Sequence, residues 1–269
     1  MLILTHANYL LNLIEQSDLF TINRICRSNK QIHALCKYDL LIVNMILRKK
    51  QQAIAEKTDK LLLRAKEKTV HHYFKDAIDM KDVEIVDELI RRGYDPSERH
   101  NEAIWWASSH GEIDIVNRLL EDLRVNPSTN SNLAIRNASG NGYILVVNRL
   151  LEDPKVDPSA NNNHAIQSAS ENGYLDVVNR LLQHKKVNPS TNDNHAIRWT
   201  SYHGHLDVVN RLLQDPRVNP AALNNQALSM ASKNHKLEVV KRLLQEERVW
   251  NLLTPQEKKM YLNQIYYKK

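Results

Sequence analysis

The chain has 269 residues, of which 42% are hydrophobic and 25% are charged, with a formal net charge of +6. No apolar run approaches the 18 or more residues that a transmembrane helix needs. The N-terminus lacks the basic region and the small-residue cleavage site of a signal peptide. We therefore expect a cytoplasmic protein that has no membrane partner.

The first predicted unit, residues 1–50, contains neither glycine nor proline. Its apolar residues recur at helical spacing and predict three or four short amphipathic helices. Asp18, Asn29 and Asp39 are the predicted caps or turn residues between them. The apolar positions are Leu10, Leu13, Ile14, Leu19, Ile22, Ile25, Cys26, Ile32, Leu35, Cys36, Leu40, Ile42, Val43 and Ile46.

Residues 51–68 are predicted to form a basic linker helix. Residues 1–70 hold 12 Lys and Arg against 6 Asp and Glu, whereas residues 71–269 hold 25 of each. The whole positive excess therefore lies at the front of the chain and is typical of a helix with a solvated basic face. Nucleic-acid binding would require basic residues across the rest of the chain as well. We expect no nucleic-acid partner.

From residue 97 onward, one pattern recurs five times at a spacing of 31 residues. A period of this length indicates stacked supersecondary units, none of which can bury its apolar face alone. One asparagine column and one alanine column mark the register: Asn101, Asn132, Asn163, Asn194 and Asn225, and Ala103, Ala134, Ala165, Ala196 and Ala227.

The unit predicts two short helices joined at a glycine. In one copy, Asn163 is the predicted N-cap of the first helix, its side chain accepting from the amides of the first turn. Gly173 suits the left-handed position that ends this helix. The inward stripe of the second helix is predicted to consist of Leu175, Val178, Leu181 and Leu182.

The copy from Ala165 to Leu182 reads A-I-x-x-A-S-x-x-G-x-L-D-V-V-x-R-L-L and resembles the ankyrin repeat. The resemblance implies an all-α ankyrin-repeat solenoid of stacked helix-turn-helix units over residues 69–250, followed by a capping helix over 251–269. Lys81 and His235 replace the glycine in the two end units, as expected where a unit packs on one side only. The implied repeats are 69–96, 97–127, 128–158, 159–189, 190–220 and 221–250.

The sequence differs from the ankyrin pattern in two features, and each of them leads to a prediction. Asn-His-Ala-Ile at 163–166 stands where the family has Thr-Pro-Leu-His, so asparagine is expected to cap the first helix. The loop after each second helix is short and lacks its glycine, which predicts short fingers with little regular strand. This style is similar to the ankyrin arrays of large DNA viruses and amoebae, and a viral chain would act in the host cytoplasm.

A binding surface should vary from unit to unit while the scaffold stays constant. By resemblance, the columns near the end of each first helix line a concave groove that binds a protein target. Trp106 and Trp199 either wedge between neighbouring helices or lie exposed. The predicted groove residues are Trp105, Ser109, His110, Arg136, Asn141, Glu171, Asn172, Arg198, Trp199, Tyr202, His203 and Lys233.

The string from Tyr9 to Ile32, with the closing Leu35-Cys36-x-x-Asp39, resembles an F-box. An F-box implies docking to the Skp-type adaptor of a cullin-RING ubiquitin ligase, the remainder of the chain holding the substrate. The Leu-Pro that usually opens this motif is absent. The alternative is a helical cap that covers the first repeat. In the F-box interpretation, the adaptor-binding residues are Leu10, Leu13, Leu19 and Ile22.

The sequence contains no glycine-rich phosphate loop and no G-x-S-x-G motif. His203 and His205 lack further ligands at metal-binding spacing. We therefore expect no enzyme activity, no metal and no cofactor. The function expected is that of a monomeric substrate-recruiting adaptor for a cullin-RING ligase, and the alternative is a plain ankyrin scaffold or inhibitor.

Overall fold

The computed structural model describes the backbone of residues 30–64 and 71–266, and most of their side chains from Met45 onward. Within these ranges the chain forms fifteen α-helices and no β-strand. The prediction of an all-α fold is confirmed, and the connections between the described repeats carry no regular strand. The chain divides into two compact units, residues 1–66 and 67–269.

The described part of the first unit is a single helix, α1 (Lys30–Arg64). One helix therefore crosses residue 50, where the sequence predicted a boundary between short helices and a linker. This stretch has no proline or glycine to end a helix, and Asp39 lies inside it rather than at a cap. Basic residues on α1 are exposed, as expected for a solvated face: Arg48, Lys49, Lys50, Lys57 and Lys60.

In the second unit, helices follow one another in pairs, a first and a second helix in each repeat. First helices pack against first helices of the neighbouring repeats, and second helices against second helices, which produces two layers. The pairs are α2 (His71–Asp79) and α3 (Val83–Arg91), α4 (Glu98–His110) and α5 (Ile113–Leu120), α6 (Thr129–Gly140) and α7 (Ile144–Leu150), α8 (Ala160–Glu171) and α9 (Leu175–Leu182), α10 (Thr191–His203) and α11 (Leu206–Leu213), and α12 (Ala222–Lys233) and α13 (Leu237–Leu244), followed by α14 (Glu247–Trp250) and α15 (Pro255–Tyr266).

The core lies between the two layers. Small residues on the first helices are fully buried and let neighbouring repeats approach closely, as Ala169 and Ser170 do. On the second helix, Val177 joins Val178 and Leu181 in the core, while the predicted Leu175 and Leu182 are only half-buried. The buried stripe therefore lies slightly to one side of the predicted one.

The turn between the two helices depends on a glycine and on one side chain of the next repeat. Gly142 has φ of +77°, and a β-carbon placed on it would lie 2.6 Å from Cδ1 of Tyr174. In the first repeat Lys81 takes the glycine position with φ of +57°. There the residue in the tyrosine position is Glu112, whose carboxylate lies 2.8 Å from Nζ of Lys81. The other equivalent pairs are Gly111 with Tyr143, Gly173 with His205, and Gly204 with Lys236.

The prediction that Asn163 caps the first helix is wrong. Asn163 is buried, has a left-handed backbone with φ of +62°, and accepts through Oδ1 from the backbone N–H of Asn188 at 2.7 Å. Asn161 and Asn162 before it are also left-handed. Asparagine tolerates this conformation better than most residues. The column therefore builds a left-handed turn and ties it to the link that precedes the next repeat.

A second hydrogen-bonded column joins the repeats along the second helices. Arg211 donates from Nε to Oδ1 of Asn179, one repeat earlier, at 2.8 Å. Between the first two repeats the acceptor is a carboxylate instead of an amide. Asp87 accepts there from Nε of Arg118 at 2.8 Å. The remaining hydrogen-bonded pairs of this column are Arg149 with Asn117, Arg180 with Asn148, and Arg242 with Asn210.

The last helix, α15, begins with a capping box. Oε2 of Glu257 accepts from both the N–H and the hydroxyl of Thr254, each at 2.8 Å. The helix packs against α13, buries Tyr261, and joins the last repeat through a bond from Ser232 to Gln264 at 2.6 Å. Among the described residues, no helix combines the length and the apolar character needed to cross a membrane.

Candidate functional site

All twelve predicted groove residues lie on the first helices or at the residue that ends them. The second helices and the connecting loops carry none of them. The exposure of these side chains and the hydrogen bonds that they already make within the chain decide which of them are available to a partner.

The arginine column serves the fold. Arg136 donates from Nε to the carbonyl of Ser131 at 2.9 Å and from Nη2 to that of Asn130 at 3.0 Å. Arg198 makes the same two bonds to Asp193 and Asn192, each at 3.0 Å. Both arginines are half-buried and hold the carbonyls of the left-handed turns. They are therefore less available to a partner than their variability suggested.

The asparagine residues at the ends of the first helices also bind neighbouring repeats. Asn141 donates to the carbonyl of Ser109 at 2.9 Å, and Asn172 donates to that of Gly140 at 2.8 Å. Each bond satisfies a carbonyl near the C-terminus of the preceding first helix, which has no partner within its own helix. The side chains remain exposed, but the amide nitrogen of each already donates to the preceding repeat.

The two tryptophans left open by the sequence are both half-buried. The indole of Trp106 donates to Oδ1 of Asp79, one repeat earlier, at 2.7 Å. The ammonium of Lys75 lies over the same ring, 3.9 Å from its centroid. Trp105 packs edge to face against Trp106, and its own indole N–H is buried without a partner.

Trp199 lies in an aromatic cluster on α10. Its ring centroid is 5.4 Å from that of Tyr202 and 5.7 Å from that of His195. His203 lies 4.9 Å from Tyr202 and continues the cluster to the exposed surface. Lys233, in the register of Tyr202 one repeat later, is also exposed.

Glu171 supplies a carboxylate beside this cluster. Its Oε1 lies 3.6 Å from Nε2 of His203, and the two side chains are 35% and 40% exposed. Burial lowers the pKa of His164 and of His195, although the charge on Glu171 opposes that shift. These two imidazoles are therefore neutral near pH 7. The cluster combines partly exposed aromatic rings with a partly exposed carboxylate.

Sequence reasoning placed these residues on the correct helices but missed the contacts between repeats. The Asn–Arg column of the second helices and the contact of Asp79 with Trp106 were both overlooked. The 31-residue spacing of the V-V-N-R-L-L segment contained a signal for the first of them. The predicted adaptor-binding residues Leu10, Leu13, Leu19 and Ile22 lie outside the described residues.

Within the ranges that the structure describes, no group of three or more His, Cys, Asp or Glu side chains is arranged to hold a metal ion. The histidines of α8 and α10 instead contact aromatic rings, a serine and one carboxylate. The chemistry that this surface offers is recognition through aromatic faces, hydrogen bonds and charge.

Residues 133–222 and 165–252 match a family model described as ankyrin repeats in three copies. No curated protein matches the chain. The matched region runs from within α6 to beyond α13 and includes the turns at Gly142, Gly173 and Gly204, with His235 in the glycine position of the last pair. Residues 133–252 are therefore ankyrin repeats, within an all-α ankyrin-repeat solenoid.

Proposed function

We propose that the surface around Trp199, Tyr202 and His203 is where this chain binds its protein target. Ankyrin repeats are protein-interaction modules and belong to a family of scaffolds rather than of catalysts. The proposal adds a location to that general role. Aromatic residues dominate the energy of protein interfaces because they bury a large area in few rotatable bonds.

One observation carries this placement. The aromatic side chains of α10 form a cluster that continues from half-buried Trp199 and Tyr202 to exposed His203. The hydrogen bonds of Arg136, Arg198, Asn141 and Asn172 instead serve the scaffold. The target is therefore expected to contact the repeats at 159–189 and 190–220 more than the arginine column.

The test compares Tyr202→Ala with Leu123→Ala in the full chain. Leu123 is 97% exposed on a loop after a second helix, so its loss is a control for removing an exposed apolar side chain. Candidate targets are first captured by proximity labelling. Each captured protein is then produced recombinantly, and its binding to each variant is measured. Tyr202→Ala should weaken the reconstituted complex by about tenfold or more, whereas Leu123→Ala should leave it unchanged. Equal binding by both variants would place the interface elsewhere.

We further propose that the N-terminal unit docks to a Skp-type adaptor, so that the array presents its target to a cullin-RING ubiquitin ligase. The support is the F-box-like string from Tyr9 to Asp39. Its last part, from Lys30 to Asp39, lies in the long helix α1. The competing function is a plain scaffold or inhibitor whose N-terminal residues only cap the array.

These two functions predict different behaviour of Leu10→Asp with Leu13→Asp. Full-length chain and purified Skp-type adaptor are mixed and separated by size-exclusion chromatography, and the thermal midpoint is measured in parallel. Loss of co-elution with an unchanged midpoint supports the adaptor function. A lower midpoint, together with no co-elution of the parent chain, supports the cap. Point substitutions are preferable to deleting residues 1–50, because that deletion would cut α1.

A further inference from the structure

Two tryptophans occupy the same register of the array, three repeats apart. Trp106 lies five residues before the turn residue Gly111, and Trp199 lies five residues before Gly204. Both are half-buried on first helices. Any difference between the two sites therefore arises from the residues that surround them.

At Trp106 the chain binds a cation of its own. Nζ of Lys75 lies 3.9 Å from the ring centroid, while Asp79 accepts the indole N–H at 2.7 Å. An ammonium over an indole face is attracted by the negative face of the π-system. A carboxylate beside the ring adds a charge of opposite sign. The preceding repeat thus supplies both the cation and the carboxylate to this ring.

In the register of the Trp199 site, the preceding repeat has a carboxylate, Glu171, and a neutral side chain in place of the cation. Glu171 lies two residues before the turn glycine Gly173, as Asp79 lies two residues before Lys81. The position of Lys75, six residues before the turn residue, is Gln167 in this repeat. The amide of Gln167 donates to the carbonyl of Asn162 at 2.6 Å and is buried.

The charges around Glu171 leave its carboxylate open to a further cation. Among the described ion pairs its contact is His203 at 3.6 Å. The nearby guanidinium groups of Arg136 and Arg198 are bonded to backbone carbonyls, and that of Arg198 also to Gln226 at 2.8 Å. Lys233, on the next first helix, is exposed.

We infer that Trp199, Tyr202 and Glu171 form a binding site for a lysine or arginine side chain of the bound protein. This inference rests on the proposed function and names the chemistry of the partner at that surface. The cation lies against the aromatic faces of Trp199 and Tyr202 and pairs with the carboxylate of Glu171. The Lys75–Trp106–Asp79 arrangement is a precedent within the same chain for a cation and a carboxylate at a tryptophan of this register.

The test is an NMR titration of the full chain with acetyl-Gly-Lys-Gly-amide and acetyl-Gly-Arg-Gly-amide. The same tripeptide with norleucine is the neutral control. The chain has four tryptophans, so its indole N–H resonances can be followed separately. The Trp199 indole should shift with the lysine and arginine peptides and not with the norleucine peptide. The Trp106 indole should not respond, because Lys75 already covers its ring.

Three variants sharpen the assignment. Glu171→Gln keeps the size of the side chain and should weaken lysine-peptide binding about three- to tenfold. Gln167→Lys reproduces the lysine of the Trp106 site. Its ammonium should occupy the Trp199 site and abolish binding of the lysine peptide. Lys75→Gln makes the opposite change. The Trp106 indole N–H, which should not shift in the parent chain, should then shift with the lysine and arginine peptides. Each variant is first compared with the parent by thermal unfolding.

Several results would overturn the inference. One is a Trp199 shift of equal size with the norleucine and lysine peptides, and another is unchanged lysine binding by Glu171→Gln. Absence of any Trp199 shift at the highest soluble peptide concentration would also overturn it. Because Glu171→Gln changes a half-exposed side chain, the test stands even if Gln167→Lys unfolds. Target binding that depends on Tyr202 but not on Glu171 would preserve the proposed function and reject the cation site alone.

Discussion

The ring of Tyr143 lies directly against Gly111 of the preceding repeat, so that a β-carbon at Gly111 would come within 2.6 Å of Cδ1 of the tyrosine. The glycine is thus required twice, for its left-handed backbone and for the approach of the next repeat. The same relationship recurs between Gly142 and Tyr174. It joins the local turn to the stacking of the array.

Gly142→Ala should therefore destabilise the array more than a left-handed backbone alone would explain. The control is Gly93→Ala, because Gly93 has φ of +88° and nothing within 4 Å of its added β-carbon. We expect a loss of about 1 kcal/mol at Gly93 and about 2–3 kcal/mol at Gly142, measured by urea unfolding. Equal losses would mean that the ring of Tyr174 moves aside without cost.

Asn163 combines a left-handed backbone with a buried hydrogen bond to the N–H of Asn188. Asn163→Ala removes both advantages and should cost about 2–4 kcal/mol of unfolding free energy. Asn163→Gly restores the backbone freedom and should cost about 1 kcal/mol less. Asn163→Asp keeps the acceptor oxygen and should be the mildest change. Urea unfolding of the three variants tests this order, and an alanine variant as stable as the aspartate variant would refute it.

The bond from Arg211 to Asn179 predicts energetic coupling between successive repeats. A double-mutant cycle with Arg211→Ala and Asn179→Ala should give a coupling energy of about 1 kcal/mol. Arg211→Ala combined with Asn117→Ala is the control, because Asn117 accepts from Arg149 instead. That pair should be additive within about 0.5 kcal/mol. Additivity in both cycles would show that the Asn–Arg column adds no stability.

The free energy of unfolding should fall in acid because aspartates in the loops after the second helices become protonated. Hydrogen bonds from the side chain of Arg217 hold the pKa of Asp215 below its ordinary 3.8, and Arg124 does the same for the pKa of Asp122. The pKa of each group is lower in the folded chain than in the unfolded chain. Their stabilisation is therefore present above the ordinary value and is lost as the pH falls through the folded value.

The matching test is Asp122→Asn with Asp215→Asn. This double variant should be less stable than the parent at neutral pH, because neutral amides make weaker bonds to Arg124 and Arg217. Its stability should also fall less steeply between about pH 5 and pH 2. Urea unfolding across that range measures both effects. Parallel curves for variant and parent would show that these two carboxylates do not determine the acid response.

The repeat scaffold was accessible from the sequence because its signals are local. Gly173 predicted a left-handed turn, and the apolar spacing around Val178 predicted a buried second helix, and both are present. The same logic failed for Asn163, where the residue type suits either a helix cap or a left-handed turn. Only a partner 25 residues later in the chain, the N–H of Asn188, distinguishes these roles.

The sequence predicted the helices that carry the candidate site but not which of their side chains are available to a partner. Variation between repeats indicated the first helices, yet Arg198 varies while serving the fold and Glu171 varies beside a partly exposed aromatic cluster. Trp106 and Trp199 are identical in type and register, and the local difference between them is that Tyr202 follows Trp199 where Ser109 follows Trp106. They differ further in the repeat that precedes each one, which has Lys75 and Asp79 in one case and Gln167 and Glu171 in the other.

The sequence by itself determined the period, the helix pairs and the glycine turns, because each of these depends on residues within a few positions of one another. Only the tertiary structure decided which polar side chains the scaffold uses and which remain available. Asn163, Arg198 and Trp106 are satisfied by groups that stacking or the left-handed turn brings to them. The physical reason is that a hydrogen bond or a cation–π contact depends on distance in space, and the stacking of repeats sets that distance.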